Sequence, residues 1–406
     1  MSSIFVARQP IFQLDRGLYG YELLYRRSAD MQSADGDVGF MSADVIMGSL
    51  LGIGLPTLSG AGVAFVNFSR AQLLNQAWRL FEPAAVVVEL LESITADPDT
   101  VAACRDVVDA GYQLALDDYV FGEETRPLLD FASIIKVDVL GRDQADLRHL
   151  TTQLAPWKLR LLAERVETAA VRDMCAGMGY ELFQGYLFSR PEMLSRTDVS
   201  ASQIAVMRLL SLLQDPRASD SRIEDAFQSD LALSYKLLRI VNAAAIGGRG
   251  ISSIGHAVRL VGRDALHRWL AVMLVASIGR AGDVSHEIAL TALTRARMCE
   301  LLAHNAGQTS NASSGFIVGL LSLLDVLLEV PMDKILGRLE LSDDVRDALL
   351  ERKGALAPAL SIVEAYESAE WDSARQRASE LHVPSEILPT LYVDGLRWAA
   401  DRLLAA

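Results

Sequence analysis

Cysteine is scarce: three in 406 residues. Cys104, Cys175 and Cys299 are far apart and form no CxxC pair, which argues against a disulfide framework and a thiolate metal site. They read as reduced core residues of a cytoplasmic protein. Long hydrophobic runs are also missing. The longest, WLAVMLVASI at 269–278, is about half of the ~20 residues that a bilayer span needs. It reads as a buried helix, and no membrane association is expected. The N-terminal MSSIFVARQP lacks the apolar stretch and small-residue cleavage site of a signal peptide. Positive charge is short as well. Lys and Arg number 38 against 52 Asp and Glu, a formal net charge of −14. A chain this acidic has no general affinity for nucleic acid, although a local basic pocket is compatible with it. No low-complexity segment or short-period repeat is present.

What is there is ordinary globular material, 51% hydrophobic and 22% charged, long enough for two domains. The first half alternates. Apolar or β-branched runs recur as VAFVN (63–67), AVVVEL (85–90), QLALDD (113–118), SIIKVD (133–138) and RLLAE (160–164). Between them lie stretches with helical spacing, such as DTVAACRDVVDAGY (99–112) and ETAAVRDMCAGMGY (167–180). Strand then helix, repeated, implies a parallel sheet with crossover helices, buried on both faces. Almost every strand ends in a polar or charged residue: Asn67, Glu89, Asp117 with Asp118, Lys136 with Asp138, and Glu164. In a (β/α)₈ barrel the active site gathers at those strand ends. One such residue is ordinarily a helix N-cap or a turn former. Five in successive units are harder to explain that way.

After SRPEM (189–193) strand-like runs vanish and helical periodicity takes over to the end. The polar stretch MLSRTDVSAS marks a boundary, giving an α/β domain over 1–195 and an all-α domain over 196–406. LLSLLDVLLEV (320–330) is apolar nearly all round, as expected of a core helix. AEWDSARQRASEL (369–381) reads as a surface helix with Trp371 turned inward.

Seven motifs, in order, give the first half a family resemblance. YELLYR (21–26), VNFS (66–69), VELLES (88–93), LALDDY (114–119), IKVD (135–138), LAERVET (162–168) and FQGYLFSRP (183–191) resemble those of EAL domains, the phosphodiesterases of the bacterial second messenger cyclic di-GMP. The resemblance covers residues 4–191. In the second half, SDLALSYKLLRIVNAAA (229–245) and SSIGHAVRLVG (252–262) resemble an HDOD domain. The implied fold is a TIM-like (β/α)₈ barrel followed by an all-helical domain, an arrangement of bacterial signal transduction.

The resemblance also implies roles. Glu22, Asn67, Glu89 and Asp117 would be metal ligands, with Asp118 beside a second metal. An all-oxygen set suits Mg²⁺ or Mn²⁺. Glu164 would be a ligand or the base that takes a proton from the attacking water. Lys136 would orient that water and offset the carboxylate charge. Glu167 and Gln184 would complete the substrate pocket, and Arg26 would hold a phosphate oxygen. Glu92 would support the loop after Asp118. The implied reaction is hydrolysis of cyclic di-GMP to the linear dinucleotide pGpG, with homodimers as one expectation.

Two departures lie near this chemistry. The run DDYVFGEE replaces the family's Asp-Asp-Phe-Gly-Thr/Ser-Gly, so of its two glycines one gives way to Val120 and Gly122 remains, followed by Glu123 and Glu124. The apolar Tyr119, Val120 and Phe121 suggest a loop packed on the helical domain. Arg165 stands where most members have Gly; it could pair with Glu167, reach a phosphate or face solvent. A receptor that binds the nucleotide without turnover, or a protein scaffold, is therefore the alternative to an enzyme. None of the six histidines is followed by Asp, so the helical half lacks the His-Asp pair of HD phosphohydrolases. Its expected role is regulatory, with an unidentified protein partner.

Overall fold

Two strands open the chain, β1 (Ile4–Gln13) and β2 (Leu18–Arg27). In this computed structural model the described residues are 4–27, 53–60, 62–185 and 187, then 206, 209–210, 212–213, 217–228, 258–259, 262–279, 283–328, 330–337 and 341–405. The expected domain boundary near 195 and both quoted HDOD segments lie largely outside them.

The turn between β1 and β2 is too short for a crossover helix, so the two strands run antiparallel. The Gln13 N–H donates to the Gly17 carbonyl (2.8 Å) and the Arg16 N–H to that of Gln13 (3.0 Å). From β2 onward the strands run parallel: β3 (Val63–Phe68), β4 (Val86–Leu90), β5 (Gln113–Leu116), β6 (Ile134–Asp138), β7 (Arg160–Glu164) and β8 (Tyr180–Phe183). They close into an eight-stranded barrel in sequence order, with β1 also antiparallel to β8. The barrel thus departs from an all-parallel (β/α)₈ barrel at its first strand. Helices α1 (Leu55–Ser59), α2 (Arg70–Leu74), α3 (Pro98–Asp109), α4 (Gln144–Leu154) and α5 (Ala169–Ala176) occupy the connections.

Ile11, Phe65, Val87, Ala115, Ile134, Leu162 and Leu182 fill the barrel interior and are essentially unexposed. Side chains alternate along a strand. The next inward residue towards the C-terminal ends is therefore two positions on: Asn67, Glu89, Asp117, Lys136, Glu164 and Gln184. On the reversed β1 it is two positions back, at Gln9. The helix N-caps are other residues. Ser69, Asp97, Asp143 and Thr168 accept from backbone N–H groups at the starts of α2, α3, α4 and α5. The polar residues on the inward face of the strand ends are therefore free of capping duty.

The second half is helical: α6 (Asp220–Gln228), α7 (Arg263–Gly279), α8 (Asp283–Asn305), α9 (Ala312–Leu321), α10 (Leu324–Leu328), α11 (Met332–Leu336), α12 (Asp343–Leu350), α13 (Ala357–Glu367), α14 (Trp371–Glu380) and α15 (Leu388–Ala405). Helix α8 packs against α7, α9, α13 and α15. The window Thr309–Leu327 is apolar and long enough to cross a membrane, yet 72% of it is buried inside the fold. This agrees with its reading as core.

Helices α13 and α15 pack on β1. Phe5 of β1 lies 5.9 Å from the ring of Tyr366 and 5.6 Å from that of Trp371, so Trp371 does turn inward. The Tyr366 hydroxyl spans the backbone of Val6, accepting from its N–H (3.3 Å) and donating to its carbonyl (3.2 Å). The two halves share a buried aromatic and polar seam along the first strand.

Candidate active site

Lys136 stands at the centre of the barrel mouth with no exposed surface. Its Nζ donates to Glu89 Oε1 and forms ion pairs with Asp117 Oδ1 (2.8 Å), Glu164 Oε1 (2.9 Å) and Glu22 Oε1 (3.2 Å). Glu22, Glu89 and Asp117 each offer a carboxylate oxygen, and these lie within 4.8 Å of one another. Gln184 Nε2 donates to Glu22 Oε2 (2.7 Å) and to Gln9 Oε1 (2.9 Å). Asn67 faces Glu89 across the β3–β4 ladder, its backbone carbonyl accepting from the Tyr25 hydroxyl.

Four carboxylates around one ammonium leave an excess of negative charge, and burial raises its cost. Burial, together with Glu22 and Asp117, pushes Glu164 up to about 8 against the pull of Lys136. Burial also holds Glu89 well above the usual carboxylate range. Lys136 goes the other way: burial disfavours its charge, but the surrounding carboxylates win and raise it. More positive charge would stabilise the cluster. The donor set fits a divalent cation, because Asn67 Oδ1 and Glu89 Oε2 are buried without a hydrogen-bond partner and every donor is an oxygen.

Not every expected residue joins. Asp118 is exposed beside the cluster, in a left-handed conformation at φ 41°. Its carboxyl is raised by partial desolvation on the side facing the cluster and by Asp117, against the pull of Lys136. Glu92 is exposed on the turn after β4 but close enough to add to the field on Asp118. Glu167 is exposed and lines a neighbouring cavity. Arg26 belongs to β2, but its side chain lies outside the described residues.

The altered loop turns back onto the barrel. Tyr119 is buried, its ring 6.4 Å from that of Phe121, which lies 6.2 Å from Trp157 after α4. Val120 is 67% exposed. The described packing of the apolar trio is therefore against Trp157 and not, as its composition suggested, against the helical domain. A backbone bond from Tyr119 N–H to the Lys136 carbonyl (3.1 Å) straps the loop to β6. Arg165 has φ 53°, a left-handed conformation that favours the Gly of relatives. Its side chain pairs with Asp138, a partner not among those expected. At Gly185, with φ 146°, an added Cβ would lie 2.3 Å from Val166 N; no larger residue fits there.

Gln9 was missed in the sequence. Its only signal is its place on the inward face of β1, two residues before Ile11. Beside Gln9 and Gln184 a cavity of about 290 Å³ opens between the halves, lined also by Glu167 and by Glu287, Arg295 and Glu367 of the helices.

Fold and site define a two-domain protein with an acidic, metal-compatible barrel mouth and a helical domain docked on its first strands. Residues 64–191 match the EAL domain family and 201–330 the HDOD domain family. Along nearly its whole length the chain is 32% identical to the uncharacterized protein YuxH of Bacillus subtilis (97% of this chain, 98% of that one). It is 31% identical to the cyclic di-GMP phosphodiesterase CdgJ of Vibrio cholerae (99% and 93%). Among solved structures, a standalone EAL protein from Vibrio cholerae O395 in its c-di-GMP-bound form is 23% identical over 45% of this chain and 90% of that one, at a TM-score of 0.35. The chain belongs to the EAL–HDOD family.

Proposed function

We propose that the protein hydrolyses cyclic di-GMP to linear pGpG at the barrel mouth. The observation that carries this reading is the convergence of Glu22, Glu89, Asp117 and Glu164 on Lys136, next to the unpartnered oxygens of Asn67 and Glu89. Glu22, Asn67, Glu89 and Asp117 would hold Mg²⁺ or Mn²⁺, with Asp118 at the rim beside a second ion. Such ions, when bound, supply Lewis acidity towards a phosphodiester and a more acidic water. Glu164 is the base in this reading, since its proton affinity lies near operating pH when the cluster is otherwise unneutralised. Lys136 holds the carboxylates together and orients the attacking water beside Glu164. Gln184 and Glu167 face the substrate end, and Arg26 holds a phosphate oxygen. The helical domain regulates the barrel and offers a surface to a protein partner, and the protein works in the cytoplasm. The relative named as a cyclic di-GMP phosphodiesterase supports the choice of substrate.

A second reading, a receptor that binds without turnover, draws support from Lys136 itself. The ammonium already occupies the centre of the carboxylates. Incubating the full chain with cyclic di-GMP and Mn²⁺, with product separation and binding measured in parallel, tells the two apart. Turnover supports the enzyme and binding alone the receptor.

A further inference from the structure

We propose that Glu287, on the helical domain, is a positioning residue for the carboxylate cluster and acts through the β1–β2 hairpin. The inference rests on the metal-site reading above. Adjacent residues on these strands face opposite ways. Tyr21 and Arg8 point outward to α8; Glu22 and Gln9 point into the barrel mouth. Outside, the Tyr21 hydroxyl donates to Glu287 Oε1, and Arg8 Nη2 donates to Glu287 Oε2 at 3.2 Å. The Arg8 guanidinium lies 4.2 Å over the Tyr21 ring. Both side chains of the ion pair are only 7% exposed. Inside, Gln9 stands opposite Glu22 in the hairpin register, and Gln184 bridges the two. One carboxylate of the helical domain thus grips both strands directly behind the residues that present Glu22.

The hairpin depends on that grip because its other edge is only briefly paired. β1 pairs with β8 only at Phe12 and Gln13. The helical domain holds the rest: Tyr366 at Val6, Asp283 accepting from the Leu18 N–H at 3.0 Å, and Glu287 at Arg8 and Tyr21. β3 holds β2 from Gly20 to Leu23, so loss of Glu287 would shift the strand by a small distance rather than free it. Small shifts suffice, since partners that orient a ligand typically carry about 10–100-fold in metal affinity or activity.

The test measures Mn²⁺ binding to the full chain by calorimetry, and kcat where turnover is found. Glu287→Gln keeps the shape and removes the charge facing Arg8; the expected result is about a tenfold weaker Mn²⁺ affinity. Tyr21→Phe removes one hydroxyl and should shift affinity in the same direction by less. The double variant should be no weaker than Glu287→Gln alone. Leu349→Ala, in α12, which packs on α9, α11 and α13, is the control for helical-domain stability. It should lower the melting temperature and leave Mn²⁺ affinity unchanged. Wild-type affinity in Glu287→Gln, or an equal loss in Leu349→Ala, overturns the inference while the metal reading stands. A wild-type chain that binds no Mn²⁺ overturns both.

Discussion

Lys136 Nζ lies 2.8 Å from Asp117 Oδ1, on the side chain that closes the preceding strand. Lys136 is the one cation among the described residues that four carboxylates share. Substitution by Met would keep much of its volume and leave those carboxylates without their counter-charge. Breaking a buried pair from one side costs about 3–5 kcal/mol. Urea unfolding in EDTA should show a loss of about that size for Lys136→Met. Mn²⁺ should raise the melting temperature of the variant more than that of the wild type. Equal metal-free stability of the two chains would mean that the cluster is not held by the ammonium.

Stability of the metal-free protein should fall as pH rises from about 6.5 to 8. Glu164 takes up its proton near 8 in the folded state and near 4.3 when unfolded. Between those values the folded chain binds more protons, so deprotonation acts against it. Glu89, raised by burial, acts in the same direction. His267, lowered to about 4 by burial, works the opposite way, but its effect fades as pH rises past about 6.5, its usual value. The carboxyl groups therefore dominate the upper part of the window. Glu164→Gln should flatten the slope by about 1–2 kcal/mol across that window, measured by denaturant unfolding at fixed ionic strength. A wild-type chain that gains stability between pH 6.5 and 8 would contradict the charge assignment.

The loop after Asp118 should be sensitive at one position and indifferent at the next. Phe121→Ala removes the ring between Tyr119 and Trp157 and should cost about 1–2 kcal/mol, less than full burial would give. Val120→Ser, at an exposed site, should stay within about 0.5 kcal/mol. Replacing the loop with the family's glycine-containing form should lower stability through the same lost ring. Thermal melts of the three variants decide this. A costly Val120→Ser with a silent Phe121→Ala would show that the loop packs elsewhere.

Strands β3 to β7 were legible because both faces of each are buried, so their residues form near-continuous apolar runs. β1 was not. It carries Arg8, Gln9 and Pro10 in its middle, because Arg8 meets Glu287 on the outer face and Gln9 enters the barrel mouth beside Gln184. β8 has four strand residues and could be placed only through its motif. The strand-end pattern pointed to Glu89, Asp117, Lys136 and Glu164, since position within a strand sets which side chain enters the mouth. Gln9 and Gln184 are 175 residues apart, and Tyr21 and Glu287 are 266 apart. No local spacing announces such pairs. The partner of Arg165 was also out of reach, because Asp138 comes beside it only through the β6–β7 register. The left-handed backbone at Arg165 did have a signal: the glycine that relatives carry there.

The proposed function makes the carboxylate cluster a metal site that hydrolyses a cyclic dinucleotide. Its most direct test compares the full chain with Asp117→Asn, each incubated with cyclic di-GMP and Mn²⁺, with products separated by chromatography. Linear pGpG is expected from the wild type, and at least about a hundredfold less from the variant, because a charged ligand is lost. Equal turnover by both chains, or nucleotide binding with no product from the wild type at any Mn²⁺ concentration, would contradict it.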